Sequence, residues 1–378
     1  MTPFPAGSSP ARLLAGVLVP SAGFAGLLAV AALEPATGFH ALLSASLFVL
    51  TLSLGGAVFT AIQGISGARW WGPVRPVASA LAGTLLVPAA AVAATVFFGL
   101  RSLYPWARPD AVAASHLLHG KTAWLNPPLF LARVLVVLIV WLALTAFLRD
   151  RASSARPGPA SALFLVVLAP TLSVASWDLA MSLEPEWFST MYAVYVFAGS
   201  FLGGIAAVAL LASALDARGL LPRGLGAKER HDLGKLLFGF ATFWAYIWFC
   251  QYLLIWYSNI PEETTHYVAR LTRGWTALFW LNPVLSFAVP FAALLPVAAK
   301  RSRAVLVPVC LVVVAGRFLD AYLLVVPSAG PAPAFPALAL AAAALLLLAT
   351  GALFLRGLTP REEADRPPAR GTLELSGS

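Results

Sequence analysis

Long apolar runs alternate with short polar connections along almost the whole chain. They fall near residues 13–33, 41–62, 77–100, 127–148, 160–181, 189–215, 234–258, 275–298, 304–326 and 335–355. A helix rises about 1.5 Å per residue, so about 20 apolar residues match a hydrocarbon layer about 30 Å thick. The pattern predicts an all-α polytopic membrane protein with about ten transmembrane helices. Pro88 interrupts the third run, and Pro170, Pro290 and Pro308 fall inside others. Membrane helices tolerate such prolines where neighbouring groups satisfy the freed carbonyls. The first run is longer than the apolar part of a signal peptide and a second run follows closely, which favours a retained helix. Residues 356–378 are polar and rich in Pro, Glu and Arg, and read as a disordered cytoplasmic tail behind a single membrane domain, 1–355.

Composition agrees with the pattern. Of 378 residues, 60% are hydrophobic and 11% charged, whereas soluble domains sit near about 45–50% and about 25%. The net charge of +9 comes from Lys and Arg scattered through the connections, with no basic stripe interleaved with aromatics, which excludes a nucleic-acid interface. Eighteen of these cations fall on one side of the ten runs and five on the other, with Arg133 and Arg317 inside runs. Cytoplasmic loops carry the excess of Lys and Arg, so both termini are expected in the cytoplasm.

A four-residue echo divides the chain. Trp124-Leu125-Asn126-Pro127 opens the fourth run and Trp280-Leu281-Asn282-Pro283 lies near the start of the eighth. Each is followed by an apolar run, a basic connection and a run ending in an acid, Asp178 or Asp320. Copies four helices apart share an orientation. The expected architecture is therefore two parallel four-helix bundles, roughly 41–181 and 189–326, with peripheral helices at 13–33 and 335–355.

No histidine falls in the middle of a run, and Cys250 and Cys310 stand alone. Intrinsic haem and an internal iron–sulfur cluster are thereby excluded, and no metal site is expected. The chemistry-bearing residues gather elsewhere. Asp178, Glu184 and Glu186 lie between Trp177 and Trp187 at the expected outer interface. A charge in the hydrocarbon is costly, so Asp178 reads either as a proton acceptor or as an interfacial cap beside aromatic anchors. Arg317 and Asp320 stand one turn apart on one helix, as a buried ion pair or as part of a shared outer site. The seventh run carries His231, Asp232, Lys235, Tyr246, Gln251, Tyr252 and Tyr257, either a polar track towards the outer acids or ordinary inter-helix hydrogen bonding. Glu262, Glu263, His266 and Arg273 follow in the next outer connection and are candidate partner contacts.

Three stretches carry a resemblance: Ser182–Thr190 (SLEPEWFST), His231–Thr264, and Gly316–Tyr322 (GRFLDAY). Together they resemble the second polytopic membrane subunit of alternative complex III, a bacterial quinol:electron-acceptor oxidoreductase related to polysulfide-reductase-type membrane anchors. The likeness is concentrated in residues 160–325. It implies ten helices in two four-helix bundles, location in the bacterial inner membrane, a homologous membrane subunit, and partners that bear c-type haem and iron–sulfur clusters on the outer side. It also implies quinone or quinol as a ligand of the complex, with a role for this subunit in proton movement. The family pattern carries His where this chain has Glu186. The leading expectation is thus a cofactor-free subunit of a respiratory quinol:cytochrome c oxidoreductase, not catalytic alone. Its rivals are a purely structural anchor for redox subunits and a secondary transporter.

Overall fold

The computed structural model describes residues 10–152, 154, 157–221, 223–272, 274–330 and 337–358. Arg273 and the tail beyond Leu358 lie outside these residues. The described chain is helical without strands. Ten helices are long and apolar enough to cross a membrane: α1 (Leu14–Leu33), α2 (Pro35–Ile65), α3 (Arg75–Leu103), α4 (Pro127–Arg151), α5 (Gly158–Leu183), α6 (Tyr192–Asp216), α7 (Ala227–Ser258), α8 (Thr276–Leu294), α9 (Arg303–Ala329) and α10 (Ala337–Leu358). This is a polytopic membrane fold.

The helices form two groups of four. Helix α2 packs on α3 and α5, and α4 closes that group against α3 and α5. In the same order, α6 packs on α7 and α9, and α8 closes the second group. The groups meet where α2 lies along α6, and the pair α1 and α10 packs at the side against α2. Helix α2 is 89% buried along its most apolar window and α1 only 11%, which separates core helices from the apolar rim.

Glycine doublets make the central contact. A Cβ on Gly55 would lie 2.3 Å from the Ser200 carbonyl oxygen, and one on Gly204 would lie 2.4 Å from the Gly55 carbonyl carbon. Only bare backbone allows this approach, the usual device for helix association where lipid removes the hydrophobic driving force. Nearby, Ser53 and Thr84 share a buried hydrogen bond of 2.8 Å between α2 and α3.

Prolines act differently from one another. Helix α3 breaks at the tight turn Gly83–Leu85 rather than at Pro88. Pro88 then sits in the first turn of the resumed helix Leu86–Leu103, where no intrahelical N–H is needed. In α8, Pro283 is followed by a wide turn of π type over Val284–Ala288. Such turns re-aim the side chains that follow. Here the wide turn contains the buried Ser286.

Candidate functional site

The two ends of the bundle differ chemically. One carries the connections with Arg69, Arg223 and Lys300; the other carries Asp178, Glu184 and a short amphipathic helix, Pro261–Leu271. The acid-rich end holds three polar clusters.

The first is closed. Asp178 is 1% exposed near the end of α5. Arg133 of α4 grips both carboxylate oxygens, Nε to Oδ2 at 2.7 Å and Nη2 to Oδ1 at 3.0 Å. Trp124 adds an N–H to Oδ1 at 3.3 Å, and the guanidinium lies 4.1 Å above the same indole. A hollow of about 10 Å³ lies beside this pair, at the lower limit for one water. A bidentate, charge-assisted pair of this kind fixes geometry.

The second is open. Asp320 on α9 accepts from Arg317 Nη1 at 3.0 Å, from Asn282 Nδ2 at 2.7 Å and from the Tyr195 hydroxyl. Arg317 Nη2 also donates to Ser286 Oγ, and Ser286 donates to Asn282 Oδ1 at 3.1 Å. The wide turn in α8 thus joins the network through Ser286. The Arg317 guanidinium lies 4.3 Å over the Trp244 ring. Gly199 and Gly316 leave room, since a Cβ there would lie 2.7 Å from Arg317 Nη1 and 2.6 Å from Ser286 Oγ respectively. Two hollows border Asp320. A mostly apolar one of about 60 Å³ runs between the helix groups past Leu50, Trp141, Leu179 and Arg317. A second, about 30 Å³, is walled by Tyr192, Tyr195, Gln251, His266, Tyr267 and Asn282 among others.

The third cluster lies in the connections. Glu184 accepts from the Arg270 guanidinium at 2.8 Å and meets His266 Nδ1 at 2.8 Å. His266 stacks on Trp187 with ring centres 4.0 Å apart and planes 12° from parallel. Trp187 Nε1 in turn donates to the Glu263 carbonyl at 3.0 Å, which fastens the Ser182–Thr190 connection to the helix Pro261–Leu271. Arg270 is anchored by the carbonyls of Leu323 and His266, both at 2.9 Å. Burial pushes the Glu184 carboxyl up, but Arg270 and His266 outweigh it and hold the group well below the usual carboxylate range. Burial, then the neighbouring Arg270, pulls His266 below its ordinary value, which keeps the ring neutral near pH 7. Glu184 also lines a cleft of about 310 Å³ with Pro105, Leu118, Glu186 and Thr265.

The residues expected to form a polar track are not brought together. His231, Asp232 and Lys235 stay at the basic end of α7, where Lys235 and Asp232 pair at 2.7 Å. Tyr246 and Tyr257 are 61% and 81% exposed, turned away from the face that buries Trp244, Trp248 and Gln251. Gln251 reaches the polar chamber beside Asp320, and Tyr252 stacks on Trp248. Among the outer candidates, Glu262 is exposed, Glu263 contributes its carbonyl, and Glu186 stands at the cleft rim.

Several partners escaped the sequence reading: Arg133, Tyr192, Tyr195, Arg270, Asn282 and Ser286. Asn282 had a signal, as part of the repeated tetrapeptide. The two copies use that motif differently. Asn126 caps α4 by accepting from the Leu129 N–H at 3.0 Å while Trp124 serves Asp178; in the second copy Asn282 itself serves Asp320. No known family's sequence pattern matches this chain, and no curated protein matches it.

Proposed function

We propose that this chain is a cofactor-free membrane subunit of a quinol-oxidising respiratory complex, in which Asp320, held by Arg317, is the proton-handling acid. The observation that carries the reading is the placement of one buried carboxylate between a mostly apolar hollow and a smaller one lined in part by polar side chains. Quinol oxidation sheds two protons, and a base at the edge of the hydrocarbon serves that release. A carboxylate retained in a dry core without such work is expensive. The resemblance of residues 160–325 to the second polytopic subunit of alternative complex III supplies the respiratory setting. On this reading, haem and iron–sulfur centres belong to partner subunits at the acid-rich end, and that end faces the periplasm.

The test starts from purification in mild detergent with a subunit and haem inventory. Co-purification with haem-bearing subunits is expected; isolation as a lone, colourless protein overturns the reading. Within the complex, Asp320→Asn is expected to lower quinol-dependent cytochrome c reduction on the order of a hundredfold. Asp178→Asn is expected to spare turnover and lower thermal stability. Full turnover in Asp320→Asn leaves the structural-anchor reading, which the closed Arg133–Asp178 pair favours for the first helix group.

A further inference from the structure

Between Asp320 and the cleft at the acid-rich end, the chamber wall includes groups able to pass a proton, set among Trp248, Phe279, Leu323, Leu324 and the Arg270 guanidinium. Tyr192, Gln251 and Tyr267 all line the chamber of about 30 Å³. A hollow of this size, with two to four polar groups around it, holds ordered water. His266 lines the same chamber as Asp320. Its Nδ1 meets Glu184, and Glu184 lines the cleft of about 310 Å³ beyond. The pair His266–Glu184 therefore joins a chamber with room for water to an open cleft.

We infer that protons pass between Asp320 and the acid-rich face through water in this chamber, and then through His266 and Glu184. This rests on the reading of Asp320 as a proton-handling acid. Protonated Asp320 gives its proton to a chamber water, and the carboxylate left behind is held by Arg317, Asn282 and Tyr195. The water passes a proton to Nε2 of the neutral His266 ring, whose Nδ1 meets Glu184. The Nδ1 proton moves to Glu184, which releases it to the cleft. The ring resets by a half-turn about its Cβ–Cγ bond, within the plane set by Trp187, with Nδ1 taking one proton from chamber water and Nε2 giving one back to it, so that no proton recrosses the wall and no electron changes hands. Glu184 is poised to stabilise the transient imidazolium and, being a weak base here, does not retain the proton. Arg270 fixes the carboxylate, and the stack on Trp187 keeps the imidazole in plane between chamber and cleft. His266 touches no reacting atom of a substrate and acts as a relay.

Infrared difference spectroscopy on the assembled complex in lipid separates this route from the reading beneath it. The protonated-carboxyl band that disappears in Asp320→Asn reports Asp320, and its shift on transfer to heavy water reports access. In the intact protein the band is expected to exchange promptly. His266→Gln and, as a milder change, Gln251→Leu are expected to slow that exchange by about tenfold or more, with the band still present. If no band is lost in Asp320→Asn across the accessible pH range, Asp320 does not titrate and the functional reading falls. If the band is present and its exchange is unaltered in both variants, Asp320 titrates but the relay is overturned. Normal thermal unfolding of Gln251→Leu guards against misfolding as the cause of slowed exchange.

Discussion

At Asp178 both carboxylate oxygens are taken by one guanidinium, so the charge and its countercharge form a single buried unit. Removing one partner leaves the other stranded, which typically costs about 3–5 kcal/mol, whereas replacing both with apolar groups of similar volume is often neutral. Arg133→Met alone is therefore expected to lower the thermal midpoint strongly, and the double variant Arg133→Met with Asp178→Leu to recover most of it. Equal losses in both would mean the pair stabilises the fold outright. Acid acts at the third cluster. Folded His266 binds its proton less tightly than its ordinary value of 6.5, so below about pH 6.5 the unfolded chain takes up more protons and stability falls. Glu184 is held ionised, so its contribution is present above its ordinary 4.5 and is lost as pH falls below that value. The thermal midpoint is expected to decline from about pH 6.5 downwards, with the upper part of the decline shallower in His266→Gln. At this scale the sequence revealed the acids and the Arg317–Asp320 pair, but not the remaining partners. Asp178 and Asp320 stand out because a charge in an apolar run is conspicuous, whereas Tyr195, Ser286 and Asn282 are ordinary inhabitants of membrane helices. Only the packing of α6 and α8 against α9 brings them to a carboxylate.

Helix boundaries were legible only as far as hydropathy carried them. Helix α7 begins at Ala227, two turns before the apolar run at 234, because Lys228, Glu229 and Arg230 are good helix formers that no apolar criterion detects. The break in α3 was expected at Pro88 and lies at Gly83, where the Arg149 guanidinium takes the space a Cβ would fill, 2.4 Å away. The doublets Gly55-Gly56 and Gly203-Gly204, in contrast, mark close helix packing, because little else needs paired glycines inside an apolar run. The crossing of α2 and α6 gives a direct test. Gly55→Ala is expected to force the helices apart and destabilise by roughly 1–3 kcal/mol. Gly26→Ala, with no atom within 4 Å of the added carbon, is expected to leave stability unchanged. Equal behaviour of the two in a thermal scan of detergent-solubilised protein would remove the crossing from the stability argument.

For the whole molecule, orientation decides what the acid-rich end is for. Lys and Arg number eighteen on one side of the ten runs and five on the other, and cations near helix ends are retained in the cytoplasm. The described helices alternate between the two ends, so a single pair of sites reports the arrangement. Thr190, exposed between α5 and α6, lies at the acid-rich end, and Ser154, exposed between α4 and α5, lies at the basic end. In a background with Cys250 and Cys310 replaced by Ser, Thr190→Cys is expected to react with a membrane-impermeant maleimide on intact cells. Ser154→Cys is expected to react only after permeabilisation. The reverse labelling would place the cleft beside Glu184 in the cytoplasm. Protons leaving Asp320 through His266 would then return to the compartment from which a respiratory chain must remove them, and the relay would lose its use in conserving energy. Labelling in the expected sense makes the same geometry productive, because a proton shed near the acid-rich end departs on the outer side without recrossing the hydrocarbon.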